Sequence, residues 1–186
     1  MMQTRFLARQ LTYDGTQLRS HFIYEQTGYL GNCLLSFAGP CHVAVDDLVD
    51  LDDARHGRFI KSQAMLHFIG EFFDRSLNET ILLQRLLISQ VQQRLMQSID
   101  GFCPRRSGND LYDDEFKLSV SIATCSPVST LIHAGINISS AGTPVPTKGL
   151  SDYGLEPQPF AERILADFQE EYAGLQRDRT KVRPVP

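Results

Sequence analysis

The sequence predicts a single α+β domain in which helices pack on one side of a mostly antiparallel sheet. The chain has 186 residues, of which 42% are hydrophobic, and this is enough apolar surface for one buried core. Between residues 62 and 99 the hydrophobic residues follow the 3.6-residue period of helices, and after Gly101 they follow the 2-residue period of strands. Both periods in a chain of this length indicate helices and a sheet that share one core.

The N-terminal third is predicted to contain a short strand, a helix and a buried strand. The helix is expected to begin at Asp14, because aspartate is a favoured N-cap residue and a glycine and a threonine follow it. Residues 32–39, NCLLSFAG, form a short apolar run that is typical of a buried strand. Gly39 and Pro40 are expected to end this strand, since both residues favour turns.

Two long helices are predicted between Ser62 and Ile99. Their apolar stripes are Met65, Ile69, Phe72 and Phe73 on the first helix, and Leu83, Leu87, Val91 and Leu95 on the second. The break between the helices is expected near Ser76, where Ser76 or Asn78 would cap the second helix. His67 and Glu71 would lie four residues apart on the first helix, where a hydrogen-bonded pair is favoured over a shared metal ion.

Two alternating segments after Gly101 predict a β-hairpin. They are residues 116–123, FKLSVSIA, and residues 131–138, LIHAGINI, and Pro127 lies in the turn between them. One face of this hairpin is apolar and is expected to pack on the helices. If the turn is centred at Pro127, the cross-strand pairs of the other face are Lys117 with Asn137, Ser119 with Gly135, and Ser121 with His133.

This polar face of the hairpin is interpreted as a binding surface. Small side chains let a ligand approach the backbone closely, whereas a merely solvated face more often carries long charged side chains. The alternative is an exposed sheet face with incidental serines. In the binding interpretation, Lys117 supplies the positive charge.

Polar and charged residues are densest in the segment that leads into the hairpin. Arg105 and Arg106 stand beside the Ser-Gly pair at positions 107 and 108. Two guanidiniums offer bidentate donors, and a loop of this kind leaves backbone N–H groups free, which together suit a phosphate or a carboxylate. We therefore predict an anion site here, the alternative being a solvated arginine pair.

Residues 105–138 resemble the biotin protein ligases. Asn109-Asp110-Leu111 and, six residues further on, Lys117 have the spacing of that family's Lys-Trp-Pro-Asn-Asp-Leu and Lys-Leu-Ala-Gly-Ile-Leu segments, with Arg106 in place of the first lysine. The segment IHAGINI is similar to the ligases' Gly-Ile-Gly-Ile-Asn-Val strand and to the His-Gly-x-Ala-Leu-Asn strand of lipoate ligases and octanoyltransferases. The whole sequence, with YDGTQL near its start, resembles a family of unknown function within the biotin/lipoate ligase superfamily.

The resemblance implies a mixed sheet with helices on one side and a pocket for a small carboxylic acid and its adenylate. Lys117 would contact the carboxylate and phosphate, and Asp110 would support Lys117 and a metal, so ATP and Mg²⁺ are the implied cofactors. Asp14 and Thr16 would form either a pocket wall or a plain helix cap. The further candidate ligand-binding residues are Asn109, Ser119, Ser121, His133, Gly135 and Asn137.

The chain also departs from its relatives. The Gly-Arg-Gly-Arg-x-Gly-Arg loop that covers the adenylate in biotin ligases is missing, and no cysteine follows Cys125 to serve as an octanoyltransferase nucleophile. Two hypotheses follow. One is a ligase-like or acyltransferase-like enzyme that acts on a small acid, and the other is a non-catalytic binding or sensing module that retains the pocket.

Composition constrains the partners and the location. The net charge of −4 gives no diffuse positive field for nucleic acid, and no apolar run is long enough to cross a membrane. The N-terminus lacks a secretory h-region, so we expect a cytoplasmic protein without a resident metal site. Residues 1–176 are expected to form the domain and residues 177–186 a mobile basic tail. The family's habits and an exposed sheet edge indicate a homodimer, and the acceptor protein, if there is one, is not identified by the sequence.

Overall fold

The computed structural model describes residues 2–185. The strands in this range are β1 (Gln3–Leu7), β2 (Cys33–Val43), β3 (Ile60–Phe72), β4 (Arg105–Ser107), β5 (Asp110–Asp113), β6 (Phe116–Lys117), β7 (Ser119–Cys125) and β8 (Thr130–Asn137). The α-helices are α1 (Phe22–Thr27), α2 (Leu51–Arg55), α3 (Leu77–Ser98) and α4 (Pro157–Lys181). Short 3₁₀ turns lie at Val45–Asp47 and Leu150–Tyr153.

A five-stranded sheet in the order β1-β2-β3-β8-β7 organises the fold. β1 is parallel to β2, and the remaining neighbours in this sheet are antiparallel. The long helices α3 and α4 pack on one side, which we call the helix face, around Phe68 of β3, Val91 of α3 and Phe168 of α4. The predicted α+β class, with a mostly antiparallel sheet and helices on one side, is confirmed.

The opposite side of the sheet, which we call the second face, is covered by other segments of the chain. The N-terminal segment and the short helix α1 lie over β2 and β3, and they contribute Tyr13, Phe22 and Ile23 to a separate apolar cluster. This cluster includes Phe37 and Met65 from the strands below it. Residues of one strand therefore alternate between two cores, one on each side of the sheet.

The first of the two predicted helices is wrong, because residues 60–72 form the central strand β3. The side chains from Met65 to Phe72 are buried on both faces of the sheet, so they show no alternation of polar and apolar residues. A strand covered on both sides reads as a continuous apolar run, and such a run cannot be distinguished from a buried helix by its period. The second predicted helix is confirmed as α3, and Ser76 caps it in a capping box with Glu79.

Strand β2 does not stop at Gly39 and Pro40 as predicted. It continues to Val43, with a register shift between Gly39 and Cys41 that absorbs the proline. The N-terminal segment runs parallel to the strand here, with a bridge from Tyr13 to Cys41, and a Cβ added at Gly39 would lie 1.9 Å from the carbonyl oxygen of Leu11. Glycine is required here because it lets two backbones meet.

The predicted helix at Asp14 is also wrong. Asp14 Oδ1 accepts hydrogen bonds from the backbone N–H of Thr16 at 3.0 Å and from its hydroxyl at 2.6 Å. These bonds close a local turn, which competes with helix formation, and the first helix begins only at Phe22. At the other end of the chain, α4 continues to Lys181, five residues into the segment predicted as a tail. Within residues 2–185, no helix is both long and apolar enough to span a bilayer.

The predicted hairpin is confirmed as β7 and β8, but its register differs by one residue. The turn is the four-residue segment 126–129, closed by a hydrogen bond of 2.7 Å from Ser126 N–H to Ser129 C=O. As a result, Ser119 pairs with Ile136, Ser121 with Ala134, and Ile122 with His133. A slip of one residue moves side chains to the opposite face of a sheet, so the two serines turn toward the helix face and away from His133.

Candidate functional site

A cavity of about 610 Å³ opens on the second face of the sheet. Its floor is formed by β7 and β8, with Val120, His133 and Asn137 among the lining residues. Its walls come from the N-terminal segment around Tyr13, from parts of residues 43–61, from residues 109–117 and from residues 143–147. This volume is in the range of small-molecule sites.

Lys117 and Asp110 form an ion pair in the wall of this cavity. The distance from Lys117 Nζ to Asp110 Oδ2 is 2.7 Å, and the two side chains retain 27% and 17% of their accessible surface. Both residues line the cavity, so the pair borders the space that a ligand would fill. The two residues predicted to be the centre of the chemistry are thus in contact.

The backbone on either side of Asp110 is fixed to β7. Asn109 Nδ2 donates a hydrogen bond of 2.6 Å to the carbonyl of Ser121, whose hydroxyl donates one of 2.7 Å to the carbonyl of Asn109. On the other side, the Leu111 N–H donates to the hydroxyl of Ser119 at 2.8 Å. The two serines predicted to touch a ligand on the polar face therefore hold the Asn-Asp-Leu segment in place, although Ser121 also borders the cavity.

The backbone of Lys117 is fixed in the same way. Its N–H donates to the carbonyl of Pro146 at 2.9 Å, and its carbonyl accepts from the Lys148 N–H at 3.3 Å and from Asn137 Nδ2 at 3.1 Å. Asn137 thus acts on Lys117 through the backbone. Because both residues of the ion pair have anchored main chains, the pair is preorganised at the cavity wall.

Burial raises the pKa of Asp110 above its ordinary value, and the positive charge of Lys117 only partly opposes this effect. The reason is visible in the contacts. Asp110 Oδ2 meets the lysine, but Asp110 Oδ1 is buried and has no hydrogen-bond partner among the residues that the structure describes. An unpaired buried carboxylate oxygen is costly, so the position of Asp110 is not explained by stability alone.

Two histidines and a tyrosine form a stack beside the floor of the cavity. The rings of Tyr13 and His133 are parallel within 8° and their centroids are 3.7 Å apart. His133 Nε2 is 3.1 Å from His67 Nδ1, and His67 Nε2 is 3.3 Å from the carbonyl oxygen of Gly39. Burial lowers the pKa of His67 to about 3 and lowers the pKa of His133 as well, so both rings are neutral at physiological pH.

Several other predicted site residues lie away from this cavity. Arg105 and Arg106 are exposed on β4, where Arg105 lies over the ring of Tyr112 and Arg106 donates to the carbonyl of Gly108. Asp14 and Thr16 are exposed and bond to each other, while their neighbours Tyr13 and Gly15 line the cavity.

Gly135 is in the floor strand but is not part of the lining. A Cβ added at Gly135 would lie 2.3 Å from the sulfur of Met65, so the glycine makes room for that methionine. His67 and Glu71 do not bond to each other as predicted, because Glu71 accepts from the His21 N–H at 2.9 Å and from the Ser129 hydroxyl at 2.7 Å. Within the described residues, no group of three or more histidine, cysteine, aspartate or glutamate side chains could hold a metal ion.

Sequence reasoning missed Tyr13 and the segment 143–147, and it placed His67 on a helix beside Glu71. Tyr13 directly precedes the predicted helix cap at Asp14. If residues 60–72 are taken as a strand, the even spacing between His67 and Met65 places both on the second face, so strand alternation was the usable signal. Segment 143–147 carries no recognisable motif, and only its pairing with Lys117 brings it to the site.

Acidic side chains outnumber basic ones around the cavity. The acidic lining residues are Asp47, Asp50, Asp53, Asp110 and Glu115, and the basic ones are Arg58, Lys61 and Lys117. Arg58 is itself paired with Asp53 at 2.7 Å. The cavity therefore suits an anion of low charge at Lys117 better than a bare polyphosphate.

The chain belongs to the family described as a domain of unknown function, DUF366, whose model matches residues 2–183. A solved protein of unknown function from Pyrococcus horikoshi is 38% identical, with a TM-score of 0.93 and complete coverage of both chains. Family membership and overall structure are thus established over nearly the whole chain.

More distant solved structures show that the fold is that of biotin and lipoate protein ligases. The biotin protein ligase from Aquifex aeolicus in complex with biotin and ATP is 15% identical with a TM-score of 0.59, covering 90% of this chain and 69% of that one. A putative lipoate protein ligase from T. acidophilum with bound lipoic acid is 13% identical with a TM-score of 0.60, covering 91% and 86%. The resemblance inferred from residues 105–138 is confirmed at the level of the fold.

Proposed function

We propose that this protein binds a small carboxylic acid in the cavity and activates it in a ligase-like or acyltransferase-like reaction. The observation that carries the proposal is the Lys117–Asp110 pair in the cavity wall, in which Asp110 Oδ1 is buried without a partner. A pair that serves only the fold would have its oxygens satisfied. The shared fold with ligases that bind biotin and lipoic acid supports the same class of ligand.

Lys117 is suited to receive a carboxylate. An ammonium group has three N–H donors, and Lys117 Nζ lies 2.7 Å from Asp110 Oδ2. No other side-chain partner of Lys117 Nζ is found within residues 2–185, and Lys117 lines the cavity, so donors remain for a ligand. A charge-assisted hydrogen bond from a preorganised ammonium contributes about 1.5–3 kcal/mol.

The site could hold ATP only together with Mg²⁺. Mg²⁺ is usually held by one or two carboxylates together with the phosphates of its nucleotide, and Asp110 would supply one carboxylate in the cavity wall. The acidic lining means that a polyphosphate would enter with its metal rather than alone. With ATP as co-substrate, attack of the acid's carboxylate on the α-phosphorus releases pyrophosphate, and Lys117 would stabilise the negative charge that develops.

A non-catalytic binding or sensing module is the second candidate. It is favoured by the position of Arg105 and Arg106, which are exposed on β4 and outside the cavity lining. The glycine-arginine loop of biotin ligases is also missing from the sequence. Phosphate would then lack its expected arginine contacts, while the acid would keep Lys117.

Acid-dependent exchange of pyrophosphate into ATP, measured together with acid binding by calorimetry, tests the proposal. The informative variant is Lys117→Met, which keeps the apolar stem and removes the charge. Its matched control is Lys148→Met, since Lys148 forms the same kind of ion pair with Asp113 at 2.5 Å outside the cavity lining.

We expect exchange with at least one acid, lost in Lys117→Met and retained in Lys148→Met. Acid binding that depends on Lys117 without any exchange would replace the enzyme with the sensing module. Absence of acid binding, or equal losses in both lysine variants, would contradict both candidates. The acceptor, the homodimer and the cytoplasmic location stay predictions.

A further inference from the structure

The tautomers of the two buried histidines are determined by the carbonyl at the end of their chain of hydrogen bonds. The carbonyl oxygen of Gly39 can only accept, so the nitrogen 3.3 Å from it, His67 Nε2, must carry a hydrogen. A neutral imidazole has one N–H, so His67 Nδ1 is an acceptor. His133 Nε2, at 3.1 Å from that atom, must then be the donor.

This chain of bonds leaves His133 Nδ1 as a lone-pair acceptor. Among residues 2–185 no hydrogen-bond partner is found for it. His133 Nδ1 is also not among the fully enclosed polar atoms that lack a partner, so it keeps contact with open space. His133 is only 2% exposed, and the space that it borders is the cavity.

The surroundings of His133 define what can approach it. Tyr13 covers one face of the imidazole at 3.7 Å, which leaves the ring edge as the route for a polar contact. Tyr13 and His133 are 3% and 2% exposed, and a cation brought to such a site without a counter-charge would lose its hydration. A hydroxyl or an amide N–H is the donor that suits this position.

We propose that His133 Nδ1 accepts a hydrogen bond from a hydroxyl or amide N–H of the bound acid, and that His67 is the positioning residue that fixes the required tautomer. This inference rests on the proposed acid site and specifies its ligand. Asn137 holds the backbone of Lys117, and His133 lies four residues away on the same face of β8, which is about 13 Å along a strand. The ammonium of Lys117 meets Asp110, and Lys117 and His133 both line the cavity, so the carboxylate and the donor group are two separate groups of one ligand.

Affinities for matched straight-chain acids that end in a hydroxyl, a methyl ether or a methyl group test the ligand part. With the acid of the right length, the wild type should prefer the hydroxyl about tenfold, the value of one neutral hydrogen bond. His133→Phe keeps a planar ring against Tyr13 and should lose this preference without losing the methyl-ended acid. Lys117→Met should weaken all three acids together.

Side-chain ¹⁵N–¹H correlation spectra test the histidine pair without any ligand. His67 and His133 should both be protonated at Nε2 in the wild type. His67→Phe should release His133 into a mixture of tautomers and reduce the hydroxyl preference. His67→Gln, which again offers one donor and one acceptor, should restore both, and thermal unfolding of each variant controls for misfolding.

A failure of this inference can be distinguished from a failure of the proposed acid site. Acids that bind through Lys117 with no hydroxyl preference at any length would overturn this inference and leave the acid site standing. A His133 protonated at Nδ1 in the free protein would overturn the inference whatever binds. Absence of binding by every acid would remove the acid site and, with it, the ligand part of this inference.

Discussion

Two lysine–aspartate pairs whose aspartates are three residues apart in sequence have opposite characters. Lys148 meets Asp113 at 2.5 Å, and the same carboxylate oxygen accepts the hydroxyl of Tyr153 at 2.8 Å. Lys117 meets Asp110 at 2.7 Å, but Asp110 Oδ1 has no partner in the described part of the chain. The pKa of Asp113 is lowered, chiefly by Lys148, whereas burial raises the pKa of Asp110.

The difference separates a structural pair from a site. Both pairs contain the same functional groups at similar distances, although only the Lys148–Asp113 pair also has the geometry of a hydrogen bond. The environments differ as well, because Asp110 is desolvated without being fully hydrogen-bonded. Such an arrangement costs stability and is typical of residues retained for binding or catalysis.

The largest effect is expected when Lys117 loses its charge. Lys117→Met leaves Asp110 buried with neither oxygen paired, and should lower the free energy of unfolding at neutral pH by about 1–3 kcal/mol. Adding Asp110→Asn should recover most of this loss. Urea unfolding measures both, and Lys148→Met should lose less, since Asp113 keeps the Tyr153 hydroxyl. Equal losses for the two lysine variants would erase the distinction between the pairs.

A smaller effect is expected at the satisfied pair. Tyr153→Phe removes one donor to Asp113 and should cost about 1 kcal/mol in unfolding free energy. The substitution makes Asp113 resemble Asp110, and the pKa of Asp113, followed by NMR titration, should rise. Tyr24→Phe is the control, because Tyr24 is 46% exposed. An unchanged Asp113 titration would show that Lys148 alone sets its pKa.

The smallest effect is expected in the pH dependence of stability. The contributions of Asp110 and Asp113 to the free energy of unfolding should change with pH in opposite directions. The folded pKa of Asp110 lies above the unfolded value of about 3.9, so the native state binds the proton more tightly and Asp110 lowers stability as the pH rises through and beyond that value. Asp113 has a lowered pKa, so its stabilisation is present above about pH 3.9 and is lost as the pH falls through its folded pKa.

Urea unfolding between pH 3 and 7 checks these signs. Relative to the wild type, Asp110→Asn should gain stability as the pH rises, and Asp113→Asn should lose it. The slope for a single group cannot exceed about 1.4 kcal/mol per pH unit. Slopes of the same sign would mean that the two carboxylates have equivalent surroundings.

The sequence was sufficient for the ion pair but not for the cavity around it. Asp110 and Lys117 lie seven positions apart in a motif, and a short antiparallel excursion through β5 and β6 brings them together. Helix α3 was equally predictable, because its apolar residues recur on one buried side of the helix and a capping box marks its start. The resemblance of the motif to biotin protein ligases implied the ion pair, and local signals predicted α3.

The rest depends on contacts between distant segments. His67 was hidden in β3, where burial on both faces removes the alternation that identifies a strand. The predicted register of the hairpin was off by one residue. Centring the turn at Pro127 implied a loop with an odd number of residues, whereas Ser126 and Ser129 close a loop of four residues. Arg105 and Arg106 share a motif with Asp110, yet the direction of β4 decides where they point, and one sequence does not specify it.

The close approach of the N-terminal segment to Gly39 has a consequence for evolution. No residue with a side chain can occupy that position while Leu11 keeps its place, since the two backbones would collide. Related genomes should therefore preserve this glycine as strictly as a reactive group, although it performs no chemistry. Invariance at position 39 would then reflect the close approach of two backbones, which also places the Gly39 carbonyl that His67 contacts.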